Sequence, residues 1–106
     1  MSSTKLNSLT AELAVDLYRR IEDRDALAFL GFLIDHPDQQ FASEHMQQEL
    51  SFEEHKQVAL SAYAIGEVAE SLGLPRPWAE GQKGYIMPAA NAGLLGQARA
   101  STGAHR

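Results

Sequence analysis

The chain has 106 residues, 44% of them hydrophobic and 22% charged, with a formal net charge of −5. That length accommodates one packed core, and that composition excludes wholesale disorder. There is no cysteine, which removes disulfides, thiolate nucleophiles and cysteine-ligated metal centres.

No apolar run approaches the ~18 residues of a membrane-spanning helix. The stretch Met1 to Asn7 is polar and lacks the apolar segment of a signal peptide. The expected setting is a reducing cytoplasm, with no membrane partner. Charge is unevenly placed, with net −8 over residues 1–74 and net +3 over residues 75–106. An acidic body with a basic end disfavours uniform polyanion binding and leaves room for one positive face.

Leu9, Leu13, Leu17 and Ile21 recur every four residues, with Asp16, Arg19, Arg20 and Glu22 between them. This is the stripe of an amphipathic helix over about Leu9 to Glu22. Asp23-Arg24-Asp25 is a polar break, with Asp25 placed to cap the next helix. Ala26 to Ile34 is apolar almost throughout and too short for a membrane, so it predicts a buried central helix holding Phe29, Leu30 and Leu33. His36-Pro37-Asp38 ends it, because the residue before proline is pushed out of the helical region.

Gln39 to Ala42 predicts a short extended piece with Phe41 pointing inward. Ser43 then caps a short helix, Glu44 to Leu50, with Met46 and Leu50 on its apolar side. Ser51-Phe52-Glu53-Glu54 matches the capping box that opens a longer helix. Val58, Ala62, Ile65, Ala69 and Leu72 form that helix's stripe, and Gly73 is placed to end it in a left-handed conformation. Pro75-Arg76-Pro77 forbids helix. Trp78-Ala79-Glu80, the turn Gly81 to Gly84, and Tyr85-Ile86-Met87 predict a hairpin that packs Trp78 and Ile86 on the helices. Pro88 suits the first turn of a last helix running from Ala89 to about Arg99.

The order helix, helix, short extended piece, short helix, tight turn, longer helix, hairpin, helix resembles a winged helix-turn-helix domain. The resemblance covers about Ala26 to Arg99 and is sharpest over Gln39 to Leu50. The chain is also similar to small actinobacterial winged-helix proteins of unassigned activity, whose chains end in a Pro-Trp hairpin and a Tyr-x-Met strand; here these are Pro77-Trp78 and Tyr85-Ile86-Met87-Pro88. The expected fold is mainly α with a small β-hairpin: an N-terminal helix (1–25), a winged-helix core (26–99) and a flexible tail (100–106), all in one domain over 1–106. Winged-helix regulators commonly dimerise through added terminal helices. The Leu13, Leu17 and Ile21 stripe, outside the minimal fold, is therefore the candidate homodimer contact.

The resemblance implies duplex DNA binding by a small transcriptional regulator. His55, Lys56 and Gln57 would enter the major groove, with Arg76 and Lys83 on the flanking backbone. Two departures weigh against it. Ser51 stands where the turn usually has glycine, and Glu44 to Gln57 carries four glutamates and one lysine. Duplex affinity comes largely from neutralising phosphates, so the competing expectation is a non-enzymatic module whose acidic helices meet a basic protein.

Chemistry-bearing patterns are weak. His36, His45, His55 and His105 lack the i, i+3 or i, i+4 spacing of metal ligands, so no metal or cofactor is expected. Glu44-His45 and Glu53-Glu54-His55 form an acid–base pair only if two helix starts meet around a cleft. There is no phosphate loop, dinucleotide fingerprint or nucleophile elbow, and no enzyme is expected.

Overall fold

The computed structural model describes residues 9–102. Five helices and a small sheet follow in chain order: α1 (Ala11–Arg20), α2 (Arg24–Asp35), β1 (Gln40–Phe41), α3 (Ser43–Glu49), α4 (Lys56–Ser71), β2 (Ala79–Gly81), β3 (Gly84–Ile86) and α5 (Ala89–Thr102). The fold is mainly α with a three-stranded antiparallel sheet ordered β1-β3-β2. β3 pairs on both sides, Phe41 with Tyr85 on one edge and Glu80 with Tyr85 on the other.

The helix starts follow capping chemistry, though not always at the expected residue. Thr10 caps α1 by accepting the Leu13 N–H. Asp23, not Asp25, caps α2; its backbone is extended and its carboxylate accepts the Ala26 N–H at 2.9 Å. Asp25 falls instead in the first turn, where a negative charge suits the helix dipole. Ser43 lies inside α3 rather than at its cap. β1 delivers an extended backbone through Ala42, and Ala42 takes the cap position with no side-chain bond.

The Ser51 capping box does not form. Ser51 has φ 57 and closes α3 instead: the Phe52 N–H reaches the Gln47 carbonyl and the Ser51 N–H reaches Gln48. That is a Schellman motif, with a serine where glycine is unstrained. Gly73 closes α4 by the same bonds, at φ 74, as its position predicts. α5 continues through Thr102, three residues past its expected end, so residues 100–102 are helical rather than tail. Residues 103–106 lie outside the described residues.

α2 is the centre of the core. Phe29, Leu30 and Leu33 are fully buried where α2 meets α4 and α5, each stabilising the fold by roughly 1.5–3 kcal/mol. From α4 come Val58, Ala62, Ile65 and Ala69, and from α5 Leu95 and Ala98. α1 packs mainly on α5. Its stripe is thereby covered within one chain: Leu17 and Ile21 are buried and Leu13 half-buried. Leu13, Leu17 and Ile21, the candidate homodimer contacts, therefore pack against the rest of their own chain.

The hairpin is fastened from both sides. Trp78 is buried edge-on to Phe29, with ring centroids 5.2 Å apart, and Phe29 also meets Tyr85 edge-on. Met87 is buried and Ile86 half-buried. Gly84, at φ 121, lies so close to β1 that a Cβ would meet the Phe41 carbonyl carbon at 2.6 Å and collide with its oxygen; only glycine fits there. Asp38 links β1's approach to α5, its N–H bonding the Met87 carbonyl and its carboxylate accepting the Ala89 N–H.

Candidate interaction surface

The five candidate DNA-contacting residues differ in how far the fold already commits them. Gln57 is half-buried and internally committed. Its amide nitrogen donates to Asp25 Oδ2 at 3.0 Å, and its carbonyl oxygen accepts the Glu54 N–H at 2.7 Å. The reach-back expected of a capping-box glutamate is thus made by Gln57. His55 is hydrogen-bonded through Nε2 to Ser43 Oγ at 2.8 Å, which joins the start of α3 to the α3–α4 connection. Lys56 is exposed, with its Nζ 3.4 Å from Glu54.

Arg76 is turned back onto the protein. Its Nη1 is 2.6 Å from Glu80 Oε2, and its guanidinium lies over Gly66 of α4, where a Cβ would meet Nε at 2.6 Å. The same Glu80 oxygen accepts the Trp78 indole N–H at 2.8 Å. Arg76, Glu80 and Trp78 therefore form one clasp that holds the hairpin to α4 and α2. Lys83 is exposed in the β2–β3 turn with no ion-pair partner among the described residues.

A cleft of about 360 Å³ opens between this turn and the start of α3, lined by Ser43, Glu44, Glu80, Lys83 and Tyr85 among others. Burial pushes the Tyr85 phenol above its ordinary range, the Glu80 charge adds to the rise, and Arg76 opposes it. Ser43 borders this cleft, and its hydrogen bond to His55 has the form of a nucleophile–base contact. Among the described residues no carboxylate bonds His55. Among the described residues neither Glu44 nor Glu53 pairs with a histidine; His45 instead meets Glu49 on its own helix, 3.5 Å away. Among the described residues no three His, Asp or Glu side chains gather as a metal site, and His105 lies outside them. No helix among these residues is long and apolar enough to cross a membrane.

The outward face of α4 carries exposed apolar side chains that its buried stripe does not announce. Leu60 is 57% exposed and Tyr63 58%, the large exposed hydrophobics among the described residues. They lie opposite the buried stripe of Val58, Ala62, Ile65 and Ala69. Lys56 and Glu67 share their face, at spacings of four, three and four. The Tyr63 hydroxyl hydrogen-bonds Glu67; that bond, followed by the carboxylate's charge, holds the phenol above its ordinary range. Projecting the whole helix, rather than tracing its core stripe, would have found this face. No family model matches the chain, and neither a curated protein nor a solved structure matches it.

Proposed function

We propose that the chain is a winged-helix domain used as a non-enzymatic protein-interaction module, with the outward face of α4 as its contact surface. Support for the fold reading is the order α2-β1-α3-α4-β2-β3 together with the sheet order β1-β3-β2. This element order matches the one on which the winged-helix resemblance over residues 26–99 rests, and it leaves α1 as the addition. In a duplex-binding member α4 is the helix that would enter the major groove.

The observation that carries the functional reading is the chemistry of that helix face. It presents Leu60, Tyr63, Glu67 and Glu70, and its one lysine, Lys56, is already beside Glu54. Phosphates need unpaired cations, whereas exposed leucine and tyrosine supply the apolar anchors on which protein contacts depend. Of the five residues weighed for DNA, Lys83 alone is free of an ion-pair or hydrogen-bond partner among the described residues.

A titration of random duplex at ~50 mM salt tests the choice, because attraction to DNA is strongest when screening is weak. No binding is expected up to ~100 µM protein, the weak end of non-specific affinities. A photo-cross-linking residue at Tyr63, but not at exposed Gln97 on α5, is expected to capture protein. Micromolar duplex binding whose salt slope falls by about one unit in Lys83→Ala would overturn the proposal in favour of a DNA-binding regulator.

A further inference from the structure

Resting on that reading of α4, we infer that its partner is a second copy of this chain, docked α4 to α4 in antiparallel orientation about a two-fold axis. Leu60 and Tyr63 are exposed neighbours on one face, with Lys56 one turn before them and Glu67 one turn after. The pattern is symmetric about the midpoint between Ser61 and Ala62. A two-fold axis at that point sets Leu60 against the second copy's Tyr63, and Tyr63 against its Leu60. The same operation sets Lys56 against the second copy's Glu67, and Glu67 against its Lys56. Ala59 is carried onto the second copy's Ala64, two small side chains that allow close approach.

An isologous contact requires one patch complementary to itself. This one is apolar at the centre, with a lysine at one end and glutamates at the other; antiparallel pairing sets each Lys56 against the second copy's Glu67, in exchange for its exposed and weak contact with Glu54. Parallel pairing would set lysine on lysine and glutamate on glutamate.

The size of the contact sets its strength. α4 has 16 residues, about 24 Å of helix, and a single helix pair of that length buries less than the ~1,600 Å² of a standard interface. The net charge of −5 per copy adds long-range repulsion. The expected dimer is therefore weak, with a dissociation constant of roughly 10–100 µM.

Sedimentation equilibrium of the full chain, up to several hundred micromolar on the scale of that weak constant, provides the test. Leu60→Glu should weaken the dimer at least about tenfold by placing a charge at the centre. Lys56→Glu and Glu67→Lys should each weaken it, while an equimolar mixture of the two should dimerise more tightly than either alone. Only in the mixed dimer do both end pairs become opposite in charge. Glu67→Lys is the sharper of the two, because it brings the net charge from −5 to −3. General repulsion alone would strengthen its dimer, whereas loss of the end pairs weakens it. All three residues are exposed, and circular dichroism should find the variants folded.

A chain that stays monomeric at the highest concentration overturns the inference. So does a dimer indifferent to Leu60→Glu, or a mixture no tighter than its components. A monomer whose position 63 cross-links to a different protein overturns the self-pairing and leaves the protein-interaction reading standing. Duplex binding through Lys83 overturns that reading itself.

Discussion

Three glycines separate the two physical demands that a turn can place on a residue. Gly81 has no unusual φ, and a Cβ added there would find nothing within 4 Å; Gly73 has φ 74 and equally open surroundings; Gly84 has φ 121 and the Phe41 backbone in the space a Cβ would take. Alanine at position 81 should change stability by less than about 0.5 kcal/mol. Alanine at position 73 carries the left-handed penalty alone, about 1 kcal/mol. Alanine at position 84 adds the clash. Backbone cannot give way as a flexible side chain can, so β1 must move off β3 and forfeit the pairing of Gln40 with Ile86 and Phe41 with Tyr85. At about 1 kcal/mol for each backbone hydrogen bond lost, on top of the conformational strain, the total is ~3–4 kcal/mol.

A domain of this size has about 5–15 kcal/mol of stability in all, so the Gly84→Ala protein should fold at low temperature and melt ~15 °C or more below the parent. Thermal denaturation followed by far-ultraviolet circular dichroism, with urea titrations for the free energies, measures all three variants side by side. If Gly84→Ala is no more damaging than Gly73→Ala, the close approach of β1 to the hairpin does not constrain the fold, and the reasoning fails.

Leu30→Ala should cost ~2–5 kcal/mol because the side chain is fully buried under α4; a urea midpoint close to the parent's would place α2 elsewhere. Ser51→Gly should stabilise by about 0.5–1 kcal/mol, relieving the φ of 57 that closes α3, and a lower melting temperature would contradict the Schellman assignment. In alkali, Tyr18 and Tyr85 should ionise late, since burial raises both above the usual value of 10.0. A folded-state pKa above the unfolded one favours the native state below that value, and the advantage is lost as pH rises through the folded pKa. Stability should therefore fall above about pH 10. A spectrophotometric phenolate titration that finds Tyr18→Phe losing a tyrosine of ordinary pKa would refute the burial argument.

Local chemistry was legible wherever a residue type permits few conformations or a period is strong. Gly73 as a left-handed helix end, Pro75-Arg76-Pro77 as a break, the Gly81–Gly84 turn and the α2 run centred on Leu30 all follow from steric limits and hydrophobic periodicity. The structure meets each of them. Caps were legible only in kind. Asp23 and Asp25 are both competent for α2, and Asp23 takes it; Ser43 and Ser51 are competent for α3 and α4, yet neither caps, because of what the chain does before each helix. β1's pairing with β3 carries extended backbone through Ala42, and α3's closure takes Ser51 into the left-handed region.

Partnership between distant residues was the part that only tertiary packing decided. The α1 stripe needs a cover, and a period of four names neither the cover nor its chain; α5, more than sixty residues downstream, supplies it. Arg76 reads as an available cation until the hairpin folds back and sets Glu80 and Gly66 against it. Gln57 reads as a base-contacting amide until α2 brings Asp25 within 3.0 Å. A charge's use depends on which opposite charge lies within a few ångströms, and that distance is a property of the folded chain. The outer face of α4 is the converse: Leu60 and Tyr63 stand in the sequence like any core residues, and only the packed structure leaves them facing water.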